Sequence, residues 1–459
     1  MFEGIASNYP REFFYNLSKL QGSLSKQVIK VSPDRTTANP GNIVNFRLPI
    51  GALLNLDSLN MYFKVSTLVE KTLPARYAST FIKRLSIQMN NVSVQIIQEY
   101  NFVYNLYNDL NNKSVTKGIA GDWVDNSILY SQTAPNSATD TAITGANAFL
   151  NATGLQTDLP FCINNFIGFL GSASTKILST DRTGEVVISV EFAPTADVLG
   201  GVEGVTPTAS ASYSVKDIYL SCEALSFSDD TYYNSIGDKD LRIGFNDYVY
   251  TSFPSGAKSS GVNVTTYISA GSIDHIVGTA RYVQATTPAK MVASKVDGAG
   301  TTAINFPTYL SNPAANSADG DAFYSTKNMV RAMGQLATSQ FYINNKALNW
   351  GPFNAQEAFQ NSLLALGYEN VDISSNGLNP GIVSLLHWYK YYAGVFQSLE
   401  LIDKDNFFIS GLSSSGSSCA INWQATFSGS SNGVIIVPII IAKLSRVLNI
   451  KAGRQIFIE

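Results

Sequence analysis

The feature that most constrains the fold of this chain is a short pattern in its first half. Residues 81–89 alternate between apolar and polar side chains, and residues 92–96 return as a second strand after the pair Asn90-Asn91. Two such runs joined by two residues predict a β-hairpin, because Asn accepts the left-handed backbone that a tight turn requires. Apolar side chains at helical spacing in residues 98–110 then predict an amphipathic helix.

The same pattern recurs in the second half of the chain. Residues 339–343 lead to Asn344-Asn345, residues 346–350 return, and residues 354–366 have the spacing of a second helix. One hairpin followed by a helix is common, but its recurrence in the same order favours a tandem duplication of one plan. The alternative is two unrelated β-domains.

Asn354 and Glu357 are predicted to cap the start of this second helix. An Asn at the N-cap accepts a hydrogen bond from the backbone three residues further on, and a Glu at that third position can bond back to the cap.

Most of the remaining chain consists of short runs with the pattern of strands. In residues 215–227, for example, Ile218, Leu220, Cys222 and Ala224 share one face at a period of two. Such runs, separated by loops rich in Gly, Asn, Ser and Pro, are typical of an all-β sandwich or barrel. The other predicted strands lie at residues 27–33, 41–49, 59–65, 184–192 and 433–443.

A polar segment rich in aspartate divides the chain into two halves of similar length. Each half has the size of a single all-β domain. Two long stretches rich in Asn, Ser, Thr, Ala and Gly, residues 111–155 and 285–321, are predicted to be elaborated surface loops. The predicted divisions are an N-terminal arm at residues 1–25, a first domain at 26–229, a linker at 230–240 and a second domain at 241–459.

Charged residues are scarce in this chain. They make up 14% of it, against about 25% in a typical soluble domain, while aromatic residues make up 11%. Interface cores are depleted in Lys, Glu and Asp and enriched in aromatics, so this composition suits a protein whose sides are largely interface. A poorly charged monomeric β-protein is the alternative. The net charge of −3 argues against a dedicated nucleic-acid binder, which carries a basic excess.

No catalytic, cofactor-binding or metal-binding residues are predicted. The sequence contains no phosphate-binding loop of the form GxxxxGK[ST]. Its three cysteines, Cys162, Cys222 and Cys419, are far apart, and we predict that they are buried as small apolar side chains.

The two histidines also give no site. Metal sites with histidine ligands usually take two or three histidines, and His275 and His387 are the only histidines in the sequence. Asp274 precedes His275, but neighbours on a strand point to opposite faces of a sheet. His387 lies in a helix-like run and is predicted to be packed. We therefore expect the protein not to be an enzyme.

No membrane-spanning helix or secretory signal is predicted. The most apolar run, residues 433–442, is about half the length that a spanning helix needs. The first ten residues lack a basic segment followed by an apolar core.

The hairpin and helix of the first half resemble a unit of the double jelly-roll major capsid proteins of double-stranded DNA viruses. The similarity is to the branch found in large eukaryotic DNA viruses, virophages and polinton-like viruses. In that family a strand runs into a two-residue turn, a strand with a central Ile follows, and an aromatic-rich helix comes next; residues 82–96 and 99–110 match this order. The family often has Gly-Gly where this chain has Asn90-Asn91, a mild change because both residue types accept positive φ. Residues 54–63 and an extra helix predicted near residues 381–397 also fit the family.

This resemblance implies both a fold and a role. The fold would be all-β, with two tandem eight-stranded jelly rolls, a few short helices and long loops. Three subunits would form a pseudo-hexagonal homotrimer, and neighbouring trimers would tile the icosahedral capsid of a virion assembled inside the host cell. Penton and minor capsid proteins would be further partners, and no sequence-specific contact with nucleic acid is implied.

The N-terminal segment is basic and aromatic. Its basic residues, Arg11, Lys19, Lys26, Lys30 and Arg35, outnumber the acidic Glu3, Glu12 and Asp34, and residues 13–15 among them are Phe, Phe and Tyr. We expect an ordered, inward-facing arm that contacts neighbouring subunits. Contact with an internal membrane through anionic lipid is the alternative.

Two other classes of function stay open on the sequence alone. A carbohydrate-binding or adhesin-type β-sandwich surface protein would be a monomer or small oligomer, with a groove lined by Trp and Tyr on one sheet. A β-sandwich hydrolase would need two carboxylates facing each other across a cleft.

Overall fold

The computed structural model describes most of both halves of the chain. The described residues are 24–67, 72–74, 78–108, 158–201, 212–227, 240–284, 328–366, 393–400, 410–414, 418–428, 434–451 and 453–459. The predicted long loops, residues 230–239 of the linker and most of the N-terminal arm lie outside these ranges, and so does His387.

The first half forms a two-sheet sandwich, which we call roll 1. One sheet has the order β1-β11-β3-β7, with β8 beside β3, and the other has the order β2-β9-β5-β6, while β4 and β10 form a separate pair. The strands are β1 (Leu24–Val31), β2 (Ile43–Arg47), β3 (Leu53–Thr67), β4 (Thr72–Pro74), β5 (Ile82–Met89), β6 (Val92–Gln98), β7 (Leu159–Ile163), β8 (Ile177–Ser179), β9 (Val186–Phe192), β10 (Leu199–Gly201) and β11 (Tyr213–Phe227). The helices are α1 (Tyr100–Asn108), α2 (Phe169–Ser172), α3 (Thr180–Thr183) and α4 (Thr195–Val198), with a 3-10 turn at Ala78–Phe81.

The second half forms another two-sheet sandwich, roll 2. Its sheets have the orders β12-β20-β15-β18 and β14-β19-β16-β17, and the short strands β13 and β21 pair with β20. The strands are β12 (Leu241–Ser252), β13 (Gly256–Ala257), β14 (Val262–Ile268), β15 (Ile273–Tyr282), β16 (Leu336–Ile343), β17 (Lys346–Ala347), β18 (Val395–Ser398), β19 (Cys419–Phe427), β20 (Ile435–Lys451) and β21 (Gln455–Ile458). One helix, α5 (Ala355–Ala365), and a 3-10 turn at Lys258–Ser260 complete the described part of roll 2.

The two rolls share one strand order. Taken along the chain, the eight main strands of each roll occupy the positions 1-8-3-6 in one sheet and 2-7-4-5 in the other. This is the topology of an eight-stranded jelly roll. The predicted fold class, all-β with two tandem jelly rolls, is confirmed.

The paired Asn-Asn turns are confirmed as tight hairpins. The φ angles of Asn90 and Asn91 are 46° and 64°, and those of Asn344 and Asn345 are 49° and 63°. Positive φ at both central residues is the mark of the turn type that matches the twist of two antiparallel strands.

The predicted cap of the second helix is also confirmed. The backbone N–H of Glu357 donates to Oδ1 of Asn354 at 2.9 Å, and the N–H of Asn354 donates to Oε2 of Glu357 at 2.8 Å. The pair therefore fixes where α5 begins.

The helix predicted over residues 381–397 is wrong at its C-terminal end. Residues 395–398 form β18, which pairs with β15 and buries Val395 and Phe396. Burial in a sheet decided the structure here, since short apolar runs fit either element. Residues 381–392 lie outside the described ranges. The closing strand predicted at 433–443 continues to Lys451, because β12 and β21 both pair with its second half.

The core of each roll lies between its two sheets. In roll 1 the rings of Phe63, Phe81, Phe161 and Tyr213 pack with centroids 5.1–5.6 Å apart. In roll 2 the centre is Trp423, which is fully buried and donates from Nε1 to Oγ of Ser339 at 2.9 Å.

Candidate functional site: the junction between the rolls

The cysteines, which could act as nucleophiles or metal ligands, are buried inside the two rolls. Cys162, Cys222 and Cys419 are buried, as predicted, and none of the three forms a disulfide. Burial raises the pKa of Cys222 to about 11, so this thiol is not a nucleophile at neutral pH. Within the described ranges, no three His, Cys, Asp or Glu side chains lie close enough together to hold a metal ion.

Asp274 and His275 are likewise buried on β15. Asp274 accepts hydrogen bonds from Oγ of Ser272 at 2.8 Å and from Oγ of Ser445 at 2.7 Å. Nε2 of His275 lies 3.9 Å from Oε1 of Glu400. Both side chains are inside the protein, so neither offers an accessible general base.

The candidate site lies instead where roll 1 contacts roll 2, a surface with many paired polar side chains that we call the junction. Helix α1 lies at its centre, and all of its residues are buried except Tyr107, which is half-buried. Phe102 packs edge-on against Tyr250 of β12 at 6.2 Å, and Tyr107 packs edge-on against Tyr248 of β12 at 5.2 Å. The aromatic side chains noted in the sequence of this helix therefore join roll 1 to roll 2.

A buried ion cluster lies beside α1. Nζ of Lys83 is 2.8 Å from Oε1 of Glu99 and 3.0 Å from Oδ2 of Asp197, all within roll 1. From roll 2, Nη1 of Arg281 reaches Oε2 of Glu99 at 2.9 Å, and Nδ2 of Asn328 donates to Oδ1 of Asp197 at 2.6 Å. The cluster thus shares its charges between the rolls.

Glu99 is the central member of this ion cluster. It follows β6 directly and has a φ of 52°, an uncommon conformation for a residue other than Gly. Burial alone would raise the pKa of its carboxyl, but the charges of Lys83 and Arg281 outweigh burial and hold the pKa below its usual value. Glu99 is therefore an ionised anion between two cations at neutral pH.

The edge of β12 forms a third part of the junction. The N–H and C=O of Gly244 bond to Oγ and N–H of Ser174 at 2.9 and 2.8 Å. The N–H of Asn246 donates to Oγ of Ser172 at 2.8 Å, and its C=O accepts from Nε2 of Gln95 at 2.9 Å. Roll 1 thereby satisfies the backbone groups that an edge strand leaves unpaired.

A cavity of about 340 Å³ opens beside this edge, between β6 and β12. Gln95 and Asp247 lie on its wall, joined by a hydrogen bond of 2.8 Å, and Arg446 holds the other oxygen of Asp247 at 3.0 Å. Gln95, Asp247 and Arg446 are thus paired with one another across the two rolls, so this part of the cavity wall belongs to the junction.

The sequence did not reveal this junction. Lys83, Glu99, Asp197 and Arg281 are far apart in the chain, and each is unremarkable in its own segment. The only local signal was the aromatic content of α1, which a capsid-like helix and an ordinary core helix share.

Comparison with solved structures places the fold. The chain is similar to the PBCV-1 virus capsid in a quasi-atomic model, at 12% identity over 97% of this chain and 99% of that chain, with a TM-score of 0.59. It is similar to the mavirus major capsid protein at 10% identity over 99% and 94% of the two chains, with a TM-score of 0.53. The Faustovirus major capsid protein matches at 12% identity over 94% and 92%, with a TM-score of 0.52.

The chain has the double jelly-roll fold of viral major capsid proteins. The fold implied by the sequence resemblance is thereby confirmed over nearly the whole double jelly roll. No family model matches the sequence, and no curated protein matches it. No helix in the described part of the double jelly roll is long and apolar enough to cross a membrane.

Proposed function

We propose that this chain is a major capsid protein, a structural and non-enzymatic component of a virion. Three copies form a pseudo-hexagonal trimer, and trimers tile an icosahedral shell. The observation that carries the proposal is the identical strand order of the two rolls. Two equivalent rolls per chain give six per trimer, so a threefold assembly can present a six-sided outline to its neighbours.

The junction supports the proposal, because aromatic contacts, ion pairs and hydrogen bonds join the two rolls of one chain. An assembly unit must hold its parts in fixed relative positions if many copies are to form a regular lattice. The aromatic contacts of α1, the ion cluster around Glu99 and the capped edge of β12 all contribute to that fixed arrangement.

A carbohydrate-binding protein would use an accessible aromatic groove, and the described residues do not favour one. Trp423 is fully buried. Three aromatic side chains are exposed among the described residues. Phe457 lies on β21, in the sheet of β20, whereas Tyr267 and Trp350 lie at opposite edges of the other sheet of roll 2, on β14 and just after β17. Tyr267 and Trp350 could therefore share a groove only across that sheet. They are separated by two strands and do not form a shared platform.

Size-exclusion chromatography with light scattering tests the trimer. We expect a stable particle of three times 49.6 kDa. A monomer that persists at high protein concentration contradicts the proposal and favours the adhesin-type alternative.

The proposal extends to penton and minor capsid proteins as partners, and to the N-terminal arm as a contact with neighbours or with an internal membrane. Strand β1 begins at Leu24, so deletion of residues 1–23 leaves all described strands in place. We expect the deleted protein to form trimers but not shells, as judged by light scattering and electron microscopy. Loss of folding after the deletion would instead make the arm part of the core of roll 1.

A further inference from the structure

The two rolls have equivalent elements that differ in what covers them. Helix α1 follows the hairpin of roll 1, and α5 follows the hairpin of roll 2 at the same place in the fold. Whereas α1 is buried on every side, α5 buries one face and exposes the other. The exposed side chains of α5 are Gln356, Glu357, Gln360 and Leu364.

The receiving edges differ in the same way. Strand β12 begins roll 2, and its edge is capped by Ser172, Ser174 and Gln95 of roll 1. Strand β1 occupies the equivalent edge of roll 1 and has β11 as its single paired neighbour among the described strands. Val28 on this strand is 66% exposed, and Ser25, Lys26, Gln27 and Lys30 are exposed too.

Among the described residues, the chain therefore contains one occupied contact and the two halves of a second contact that no described residue covers. In the occupied contact, α1 packs on the aromatic side chains of β12, and Ser172, Ser174 and Gln95 beside it cap the edge of that strand; together they form the helix side of roll 1. The helix side of roll 2 and the first-strand edge of roll 1 have the same architecture and are both exposed. A head-to-tail contact of this kind closes into a ring when the rotation between successive units permits it.

We infer that the exposed face of α5 docks on the β1 edge of a second copy of this chain, and that this contact closes the trimer. The inference rests on the proposed function and names the surfaces that carry it. In the resulting ring, contacts within a chain and contacts between chains alternate, and each repeats the same arrangement of helix and edge strand.

The side chains on both surfaces suit this contact. Gln95 shows how an amide group can cap the edge of β12, and α5 exposes the amides of Gln356 and Gln360. Leu364 is 47% exposed on α5 and Val28 is 66% exposed on β1, so each surface also offers an apolar side chain. An edge strand left open is prone to unspecific pairing, and docking of α5 would remove that liability.

Cross-linking between separate chains tests the inference. A chain with Val28→Cys and one tag is co-expressed with a chain with Gln360→Cys and a second tag, and the purified protein is treated with a short bismaleimide. We expect a covalent dimer that contains both tags, because only an intermolecular contact can join them. The three native cysteines are buried and give little background.

The matched control replaces Gln360→Cys by Tyr267→Cys, which is 71% exposed on β14 in roll 2. The control pair should give no dimer with both tags. A second variant, Leu364→Arg, should convert the trimer to a folded monomer, as judged by light scattering and circular dichroism, while Tyr267→Arg should leave the trimer intact.

The outcomes separate the inference from the proposed function. A trimer that shows no link between positions 28 and 360, and that survives Leu364→Arg, overturns the inference and leaves the capsid function standing. A native protein that is a monomer at every concentration overturns both.

Discussion

At the scale of single residues, Gly278 and Trp423 pack so closely that no side chain fits between them. Gly278 is on β15, in one sheet of roll 2, and Trp423 reaches it from β19 in the opposite sheet. A Cβ atom at position 278 would lie 2.4–2.6 Å from three atoms of the indole ring. Protein cores are packed to crystal-like density and resist such overlap, so only Gly fits beneath the ring.

Gly278→Ala is therefore expected to destabilise the protein. We predict a loss of about 3 kcal/mol in the free energy of unfolding, the upper end for overpacking a core. Chemical denaturation of purified protein measures it. Gly271→Ala is the control, because no atom lies within 4 Å of a Cβ built at that position. Equal stability of both variants would show that the indole moves aside without cost.

At the scale of secondary-structure elements, much of the molecule was readable from the sequence. The Asn-Asn turns were predictable because positive φ depends on local residue type. The cap of α5 was predictable because Asn354 and Glu357 are three residues apart. Most strands were predictable because apolar and polar side chains alternate along them.

Other elements depended on contacts that the sequence does not display. The buried segment at 395–398 became β18 because β15 offered it a partner. The Glu99 cluster could not be predicted, since its members come from β5, α4 and β15 and meet only in the folded chain. Long-range contacts of this kind leave no pattern in the sequence of any one element.

The ion cluster at the junction predicts how the stability of the protein changes as the pH falls. The pKa of Glu99 is lowered in the folded protein, so its contribution to stability is complete above the ordinary pKa of about 4.5. That contribution is lost as the pH falls through the lower pKa of the folded state. Lys83 and Arg281 then face each other without the anion between them.

Glu99→Gln tests this electrostatic role. At pH 7 we expect a loss of stability on the order of 3 kcal/mol, because two cations lose their shared partner. As the pH falls from about 5 to about 3, the range in which carboxyl groups take up protons, the free energy of unfolding should decrease less in this variant than in the native protein. Denaturant titrations at several pH values measure both effects. Asp57→Asn, which breaks an exposed pair with Lys176, should change neither. An unchanged acid profile in Glu99→Gln would contradict the account.

At the scale of the whole molecule, the repeat is more complete than the sequence indicated. In the sequence, only the hairpin and the helix that follows it were visible as a duplication. The structure extends the correspondence to all eight main strands of each roll. The sequence could not show this, because the matching strands share position and pairing while their residues differ.

The composition of the chain, which is low in charge and rich in aromatic residues, can be related to contacts within and between chains. Part of the aromatic content joins the rolls within one chain, through Phe102, Tyr107, Tyr248 and Tyr250. The exposed apolar side chains on β1 and α5 are available for contacts between chains. Burial within a chain and assembly between chains thus use the same kind of surface.

Electron microscopy of the purified oligomer tests most directly whether two equivalent rolls let three chains form a six-sided tile. We expect particles with threefold symmetry, six upright rolls and a hexagonal outline in top view. Single chains, or twofold dimers in which the rolls do not alternate around one axis, would contradict this expectation.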